Sequence, residues 1–534
     1  MGRAPSFKEF VERIPYIGVS LEHVRPKEIK IEYNPNRPDL GIITGVAKAY
    51  NGITRHETGL VSYETKDGGY QLNVDESVEP VRPHVAGAVV KKIPMDEEAL
   101  KDIIALQEDL HQTIGRSRRK VSIGLHNLEL VNFPVHYRAV GPGTAGFVPL
   151  DQEEELTCEE ILEKLETGRR YGPILGDKDL YPLIVDDQQK ILSFPPIINS
   201  ELTRVDAETV DLFIDVTGTD LPRIQDSLNI LVTSLADYGA EVFHVDIRAG
   251  GNSLKTPDLS TRRMKVNVGY VEDLLGVDLK GQQIIECLEA SRLGASARGG
   301  ELMVEIPPYR ADIMHPIDIV EDVAIGYGYW RIAPDIPKTF GLGKSLDSSK
   351  LERRICQLME GAGFIEVMNF TLSSFEKQFA KLALKPKGYV RVHSPKSLEN
   401  EIIRTWIIPD LLEVLRISKK EIYPQRIFEL GKTIRRENGD VVEEGHLALA
   451  ITHSEAGYSD VKALLDNLSS LFEFDVRVME TQHPSFIPGR VGLLVSDTRE
   501  FGIVGEVSPI VLENFQLDQP VACLELSISK LPRK

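Results

Sequence analysis

No stretch of the 534-residue chain approaches the ~20 consecutive apolar residues that a membrane helix needs, so no membrane-spanning helix is expected. Cysteine is scarce: Cys158, Cys287, Cys356 and Cys523 stand far apart without a CxxC pair, which rules out a disulfide framework. The opening MGRAPSFKEFVERIPY has no apolar core of a secretion signal, and the expected location is the cytoplasm. Positive charge is also deficient, with 62 Lys and Arg against 81 Asp and Glu and a net charge of −19. A protein that coats nucleic acid neutralises phosphates and needs the opposite balance, so any such contact must be local. The basic clusters Arg116, Arg118, Arg119, Lys120, then Arg262, Arg263, Lys265, and the pair Lys419-Lys420 read as solvated surface. There is no GxxxxGK[ST] loop, no GxSxG elbow, no HExxH and no kinase set, which excludes an NTPase of the P-loop kind.

What is present is length enough for roughly three to five domains. The first ~85 residues combine a charged helix, an extended IKIEYNPNRPDL and a glycine-bearing helix from about Ile42 to Asn51. Two prolines keep Asn34 to Asp39 out of a helix, giving a rigid loop in which Arg37 and Asp39 pair with each other or face a partner. Residues 86–257 alternate apolar runs such as VAGAVV, VSIGLH and DLFIDVTG with helical patterns, as in a mixed α/β domain. Residues 264–332 form a compact helix-rich, winged-helix-like module. A proline-rich bridge, APDIPKTFGLGKS, leads to the last ~190 residues, where strand-like runs such as IEVMNFTLS and HLALAIT predict a large antiparallel sheet. The fold class expected is multidomain α+β.

One segment is chemically dense. In PPYRADIMHPIDIVEDVAIGYGY, the acids Asp318, Glu321 and Asp322 recur at helical spacing, with Asp312 behind a turn. Oxygen-only ligands suit Mg2+, which usually keeps several waters beside a few carboxylates. The same acids equally suit a helix that starts at Pro316, because the macrodipole favours carboxylates in a first turn. Both readings stand on pattern alone.

That segment closely resembles the β chain of phenylalanyl-tRNA synthetase of the archaeal and eukaryotic cytosolic type. Other blocks agree in order: NPNRPDLGIITGVAKAYNG, SFPPIINSELTRV, LFIDVTGTD, TPDLSTRRMKVNVGYVEDLLGVDL, RIFELGKTI and FGIVGEVSPIVLENFQL. The resemblance implies four domains: an N-terminal domain at 1–85, an editing domain at 86–257, a helix-rich middle domain at 258–332, and a class II synthetase-like catalytic domain without catalytic activity at 333–534. It also implies an α2β2 ligase that joins phenylalanine to tRNA(Phe) with ATP, the aminoacylation site lying on the α chain. Magnesium is implied at Asp312, Asp318, Glu321 and Asp322.

Hydrolysis of mischarged tyrosyl-tRNA(Phe) is implied for the editing domain. A pocket for phenylalanine rejects an added hydroxyl only ~10²-fold, whereas one that hydrogen-bonds the hydroxyl discriminates far better. The resemblance points to Asp215 and Thr217 as pocket residues, joined by Asn199, Ser200, Glu201 and Asn229. His126, in SIGLHNLE, either reaches the same site or is structural, the commoner role of a lone histidine after a strand. In the last domain Arg404, Arg426 and Arg490 lie near segments that hold ATP phosphates in active class II enzymes. An intact glycine-rich third motif is missing, so no amino-acid activation is expected there. A free-standing deacylase would not need ~200 residues of synthetase-like sheet, and the net charge disfavours a nucleic-acid-binding regulator.

Overall fold

The computed structural model describes residues 5–25, 28–176, 180–337, 341–472, 475–496 and 499–530, and the chain divides into two compact units, Met1–Ile336 and Pro337–Lys534. Most of the bridge 333–345 is described, but 338–340 lie outside the described residues. No helix is long and apolar enough to cross a membrane among the described residues.

The first unit opens with a short helix, Phe7–Arg13, closed by a reciprocal Ser6/Glu9 capping box. A hairpin, Val19–Arg25 with Glu28–Tyr33, and the helix Ile43–Ile53 enclose a small core of Ile14, Ile17, Leu40, Val46 and Tyr50. In the proline-bounded loop Arg37 grips Asp39 through two hydrogen bonds of 2.8 Å, so the internal-pair reading holds.

A ten-stranded mixed sheet follows. Its strand Thr65–Val74 pairs in parallel with Glu241–Ala249, so the sheet begins before residue 86, where the sequence reading put its domain border. Toward one edge, Leu212–Gly218 lies buried between antiparallel neighbours His84–Lys91 and Val121–Asn127. Strand alternation sends Ile214 and Val216 into a core with the helices Glu97–Gln112 and Leu221–Asp237. It turns Phe213, Asp215 and Thr217 to the other face.

The helix-rich module has a three-stranded sheet, Arg262–Asn267, Glu301–Ile306 and Gly294–Arg298, carrying the helices Val268–Leu275, Gly281–Ala290 and Pro316–Tyr327. Gly326 lets the last two helices meet: a Cβ there would lie 2.0 Å from the carbonyl oxygen of Cys287. Lys48, on the helix Ile43–Ile53, ties three parts of this unit together. Its ammonium pairs with Asp237 at 2.7 Å and lies 3.6 Å from the ring centre of Tyr309.

The second unit is the antiparallel sheet expected. Its seven strands run Ile365–Glu366, Gln425–Glu437, Asp440–Thr452, Val521–Ser527, Arg499–Val507, Phe486–Ser496 and Arg477–Glu480; only the first is parallel to its neighbour. The helices Asp347–Gly361 and Tyr458–Leu471 pack on one face, and Ile408–Ile417 on the other. The run IEVMNFTLS forms only two short strand pieces, and Met368 and Phe370 face solvent.

Candidate functional site

A cavity of about 410 Å³ opens between the strand Val121–Asn127, the helix Glu97–Gln112 and the segment 193–205. Asp215 lines it because strand parity points that carboxylate away from the helical core. Beside it runs a hydroxyl–imidazole–carboxylate chain: Thr203 Oγ1 lies 2.7 Å from His126 Nδ1, and His126 Nε2 lies 2.8 Å from Asp215 Oδ2. All three side chains are buried, His126 completely. Gly124 sits opposite Asp215 in the strand register and leaves the space this chain occupies. Asn199 and Ser200 also line the cavity, donating to the carbonyls of Leu125 at 3.2 Å and Val148 at 3.3 Å.

The opposite wall is charged. Arg118 donates to Glu108 at 2.7 Å and lies 4.5 Å from the ring centre of Tyr171. His111 fixes the same carboxylate: its Nε2 accepts from the Ile123 N–H, leaving Nδ1 to donate to Glu108 at 2.9 Å. The His111 bond, aided by Arg118 and opposed by burial, holds the Glu108 carboxyl down at about 2, so it is ionised at neutral pH. Burial pushes the His111 imidazole below the usual range, which keeps it neutral. Arg116, Ser117 and Arg118 adopt φ of 48°, 55° and 65°, three successive non-glycine residues in the left-handed region. Backbone of this kind is costly and gathers where a side chain must be aimed.

Three buried atoms on the cavity wall have no hydrogen-bond partner among the described residues: Arg118 Nε, Thr167 Oγ1 and Ser193 Oγ. Each unpaired group costs about 1–3 kcal/mol. The wall is therefore suited to an occupant that brings its own donors and acceptors, while Leu100, Ile104, Ile123 and Phe194 supply apolar surface.

Three of the residues inferred from sequence fall outside the cavity lining. Thr217 shares the Asp215 face but is wholly buried, and its hydroxyl and carbonyl accept from Arg82 at 3.0 and 2.7 Å. Burial pushes the Arg82 guanidinium down to about 10, and no carboxylate among the described residues pairs with it. Glu201 turns outward to Arg204, at 2.7 Å. Asn229 lies on the helix Leu221–Asp237, against the opposite face of the sheet, and donates to the Asp258 carbonyl at 2.9 Å. Sequence reasoning missed Glu108, Arg118, Gly124, Thr167, Ser193 and Thr203, and His126 is part of the site. The one available signal was the cluster around Arg118: Arg116 and Arg119 face solvent as expected, but Arg118 turns in.

The acids of the middle module are committed elsewhere. Arg310, itself buried, donates to Asp312 at 2.8 and 2.7 Å and to Asp322 at 3.1 and 2.7 Å. Burial opposes the guanidinium charge, but Asp322 and Asp312 override it and hold Arg310 well above its ordinary value. Asp318 accepts from the backbone N–H groups of Met314 and His315 as a helix cap, and Glu321 is exposed. No group of three or more His, Cys, Asp and Glu side chains is placed to hold a metal among the described residues. As arranged, Asp312, Asp318, Glu321 and Asp322 do not fit a magnesium ion: a cation, Arg310, already stands between two of them.

In the second unit Arg404 is buried and bound to Glu429 at 2.7 Å and Asp410 at 3.3 Å. Arg426 donates to the Ala362 carbonyl, and Arg490 pairs with Glu506 at 2.8 Å. All three have partners within the chain.

Two family models match this architecture. Residues 264–329 match the tRNA synthetase B5 domain, and residues 332–528 match the phenylalanyl tRNA synthetase beta chain CLM domain. Fold and matches together define a component of an aminoacyl-tRNA synthetase. A phenylalanine–tRNA ligase beta subunit from Archaeoglobus fulgidus is 42% identical over 522 residues, 97% of this chain and 94% of the relative. One from Pyrococcus abyssi is 39% identical over 540 residues, 99% of this chain and 97% of the relative. The chain belongs to the phenylalanine–tRNA ligase beta subunit family. Among solved structures, an N-terminal fragment of the phenylalanyl-tRNA synthetase beta subunit from Pyrococcus horikoshii is similar at a TM-score of 0.59 and 38% identity. That match covers 61% of this chain and 96% of the fragment.

Proposed function

We propose that the chain acts in the cytoplasm as the beta subunit of an α2β2 phenylalanine–tRNA ligase, and that its Asp215 cavity hydrolyses tyrosyl-tRNA(Phe). The α chain binds ATP and phenylalanine and attaches the amino acid to tRNA(Phe). The C-terminal sheet of this chain does not activate amino acid, a reading supported by the internal partners of Arg404, Arg426 and Arg490.

The observation that carries the editing reading is the cavity itself, in which unpaired polar atoms stand beside both charged and apolar lining residues. A tyrosyl group can satisfy such atoms through its hydroxyl, whereas a phenylalanyl group leaves them unpaired and is rejected. His126 fixes the Asp215 carboxylate, which orients a water molecule toward the ester carbonyl and draws off its proton as attack proceeds. Water is assigned as the attacking group because the Thr203 hydroxyl is buried and engaged with His126. In the assembled αβ enzyme, Asp215→Ala should slow deacylation of tyrosyl-tRNA(Phe) by ~10²–10⁴-fold and leave phenylalanylation intact. This chain alone should give no ATP–pyrophosphate exchange. Unchanged deacylation would refute the editing assignment, and exchange without α would refute the division of labour.

Magnesium at the acidic helix remains a separate proposal, because an ion shared by Asp312 and Asp322 requires Arg310 to withdraw. If the assembled enzyme makes that exchange, Asp318→Ala weakens Mg2+ binding in a calorimetric titration. Equal uptake by variant and parent would leave Asp318 as a helix cap alone.

A further inference from the structure

We infer that the C-terminal unit contains a second binding site, for a small organic ammonium ion, between Trp406, His483, Glu525 and Ser527. A cavity of about 370 Å³ lies there on the face of the seven-stranded sheet, large enough for a small ligand. This inference is independent of the editing assignment, because every residue in it belongs to the second unit.

Charge sets the sign of the ligand. Four glutamates line the cavity, Glu437, Glu444, Glu500 and Glu525, against Arg435, Lys530 and His446. Both permanent cations are spent on Glu444, Arg435 at 2.8 Å and Lys530 at 2.7 Å, and Arg435 also meets Glu437 at 2.6 Å. Glu525 has only neutral donors, the N–H groups of Ile407 and Ile408 at 3.0 and 2.9 Å, besides the His446 ring at 2.8 Å. An anion entering here meets an excess of carboxylate. A cation meets Glu525.

Two further features select an ammonium over a bare metal ion. The Ser527 hydroxyl, on a residue 2% exposed that pairs in register with His446, has no partner among the described residues and lines the cavity. An ammonium offers three donors, one for that oxygen and one for Glu525. Trp406 and His483 lie with ring centres 5.3 Å apart, and burial pushes the His483 imidazole down, toward its neutral form. Neutral aromatic faces attract cations, and Leu493 and Ile503 offer apolar wall to the ligand's body.

Without a ligand, Glu525 is balanced by a proton on His446. Burial alone would push that imidazole down, but the hydrogen bonds and charges of Glu444 and Glu525 overcome it and raise it. The groups facing it are Glu444 on its own strand, Glu525, Arg435 and Glu437 on neighbouring strands, and Lys530 beyond. An incoming ammonium replaces that proton, so binding must release it and tighten as pH rises.

Phenethylamine is the probe, titrated calorimetrically into the full-length chain at pH about 6 and about 8, around the histidine range, in buffers of different ionisation heat. Saturable binding with net proton release at the lower pH is expected. Trp406→Leu and Ser527→Ala should each weaken it about tenfold, with circular dichroism confirming the fold. His446→Gln should abolish the pH dependence. No saturable binding, binding without proton release, equal affinity for phenylacetate, or indifference to both Trp406→Leu and Ser527→Ala would overturn the inference.

Discussion

Replacing Arg310 with methionine is expected to destabilise the first unit by about 3–5 kcal/mol, as is usual when one partner of a buried ion pair is removed. The guanidinium makes four hydrogen bonds to two carboxylates and is 3% exposed, so water cannot take its place. Methionine preserves most of the stem and leaves Asp312 and Asp322 without the guanidinium that binds them both, with Arg37 acting only at longer range. The loss should appear as a lower urea midpoint in the unfolding of the full chain. A change under ~1 kcal/mol, the range of an exposed pair, would show that Arg310 does not hold the two carboxylates as a buried ion pair. Magnesium added to the same variant tests the competing cation directly, since recovery would show that an ion can stand where Arg310 stands.

Gly124→Ala should remove tyrosyl-tRNA(Phe) deacylation by ~10²-fold or more while sparing phenylalanylation, because ångström-scale displacement of reacting groups costs rate on that scale. A Cβ at residue 124 would lie 2.2 Å from Asp215 Oδ2 and 2.9 Å from His126 Nε2. Something has to shift, and the movable atoms are the two that define the site. The backbone at residue 124 is ordinary strand, so alanine brings no conformational strain, and overpacking costs about 1–3 kcal/mol. Deacylation assays on the αβ enzyme, beside an unfolding curve, separate these effects. Full activity in a folded variant would mean that the Asp215–His126 geometry is not used.

Much of the architecture was readable because it rests on periodicity. The apolar run DLFIDVTG marked a strand, and spacing in the acidic segment marked a helix that begins at Pro316. The misplaced residues share one cause, the direction in which a side chain leaves its element. Asn229 follows Asp215 closely in sequence, yet its helix packs on Ile214 and Val216, the face that Asp215 avoids. Glu321 and Asp322 are neighbours on a helix, where adjacent residues diverge by about 100°, so one faces water and the other Arg310. The basic cluster flagged Arg118, but its inward aim was not legible in the pattern, because that aim depends on a left-handed backbone run and on Glu108 from a separate helix.

The Lys48 clamp limits how this chain can be recombined. It joins the helix Ile43–Ile53 to Asp237 and to Tyr309, while the neighbouring Arg37 lies within the electrostatic reach of Arg310 and Asp312. The sequence divides into modules that look exchangeable between relatives, but these buried charges are matched across module borders. A chimera cut at the border before residue 86 strands Asp237 without its lysine unless the donor brings the same partner. Hybrid chains should therefore inherit the Arg37–Lys48 stretch together with both Asp237 and the Tyr309–Asp322 segment.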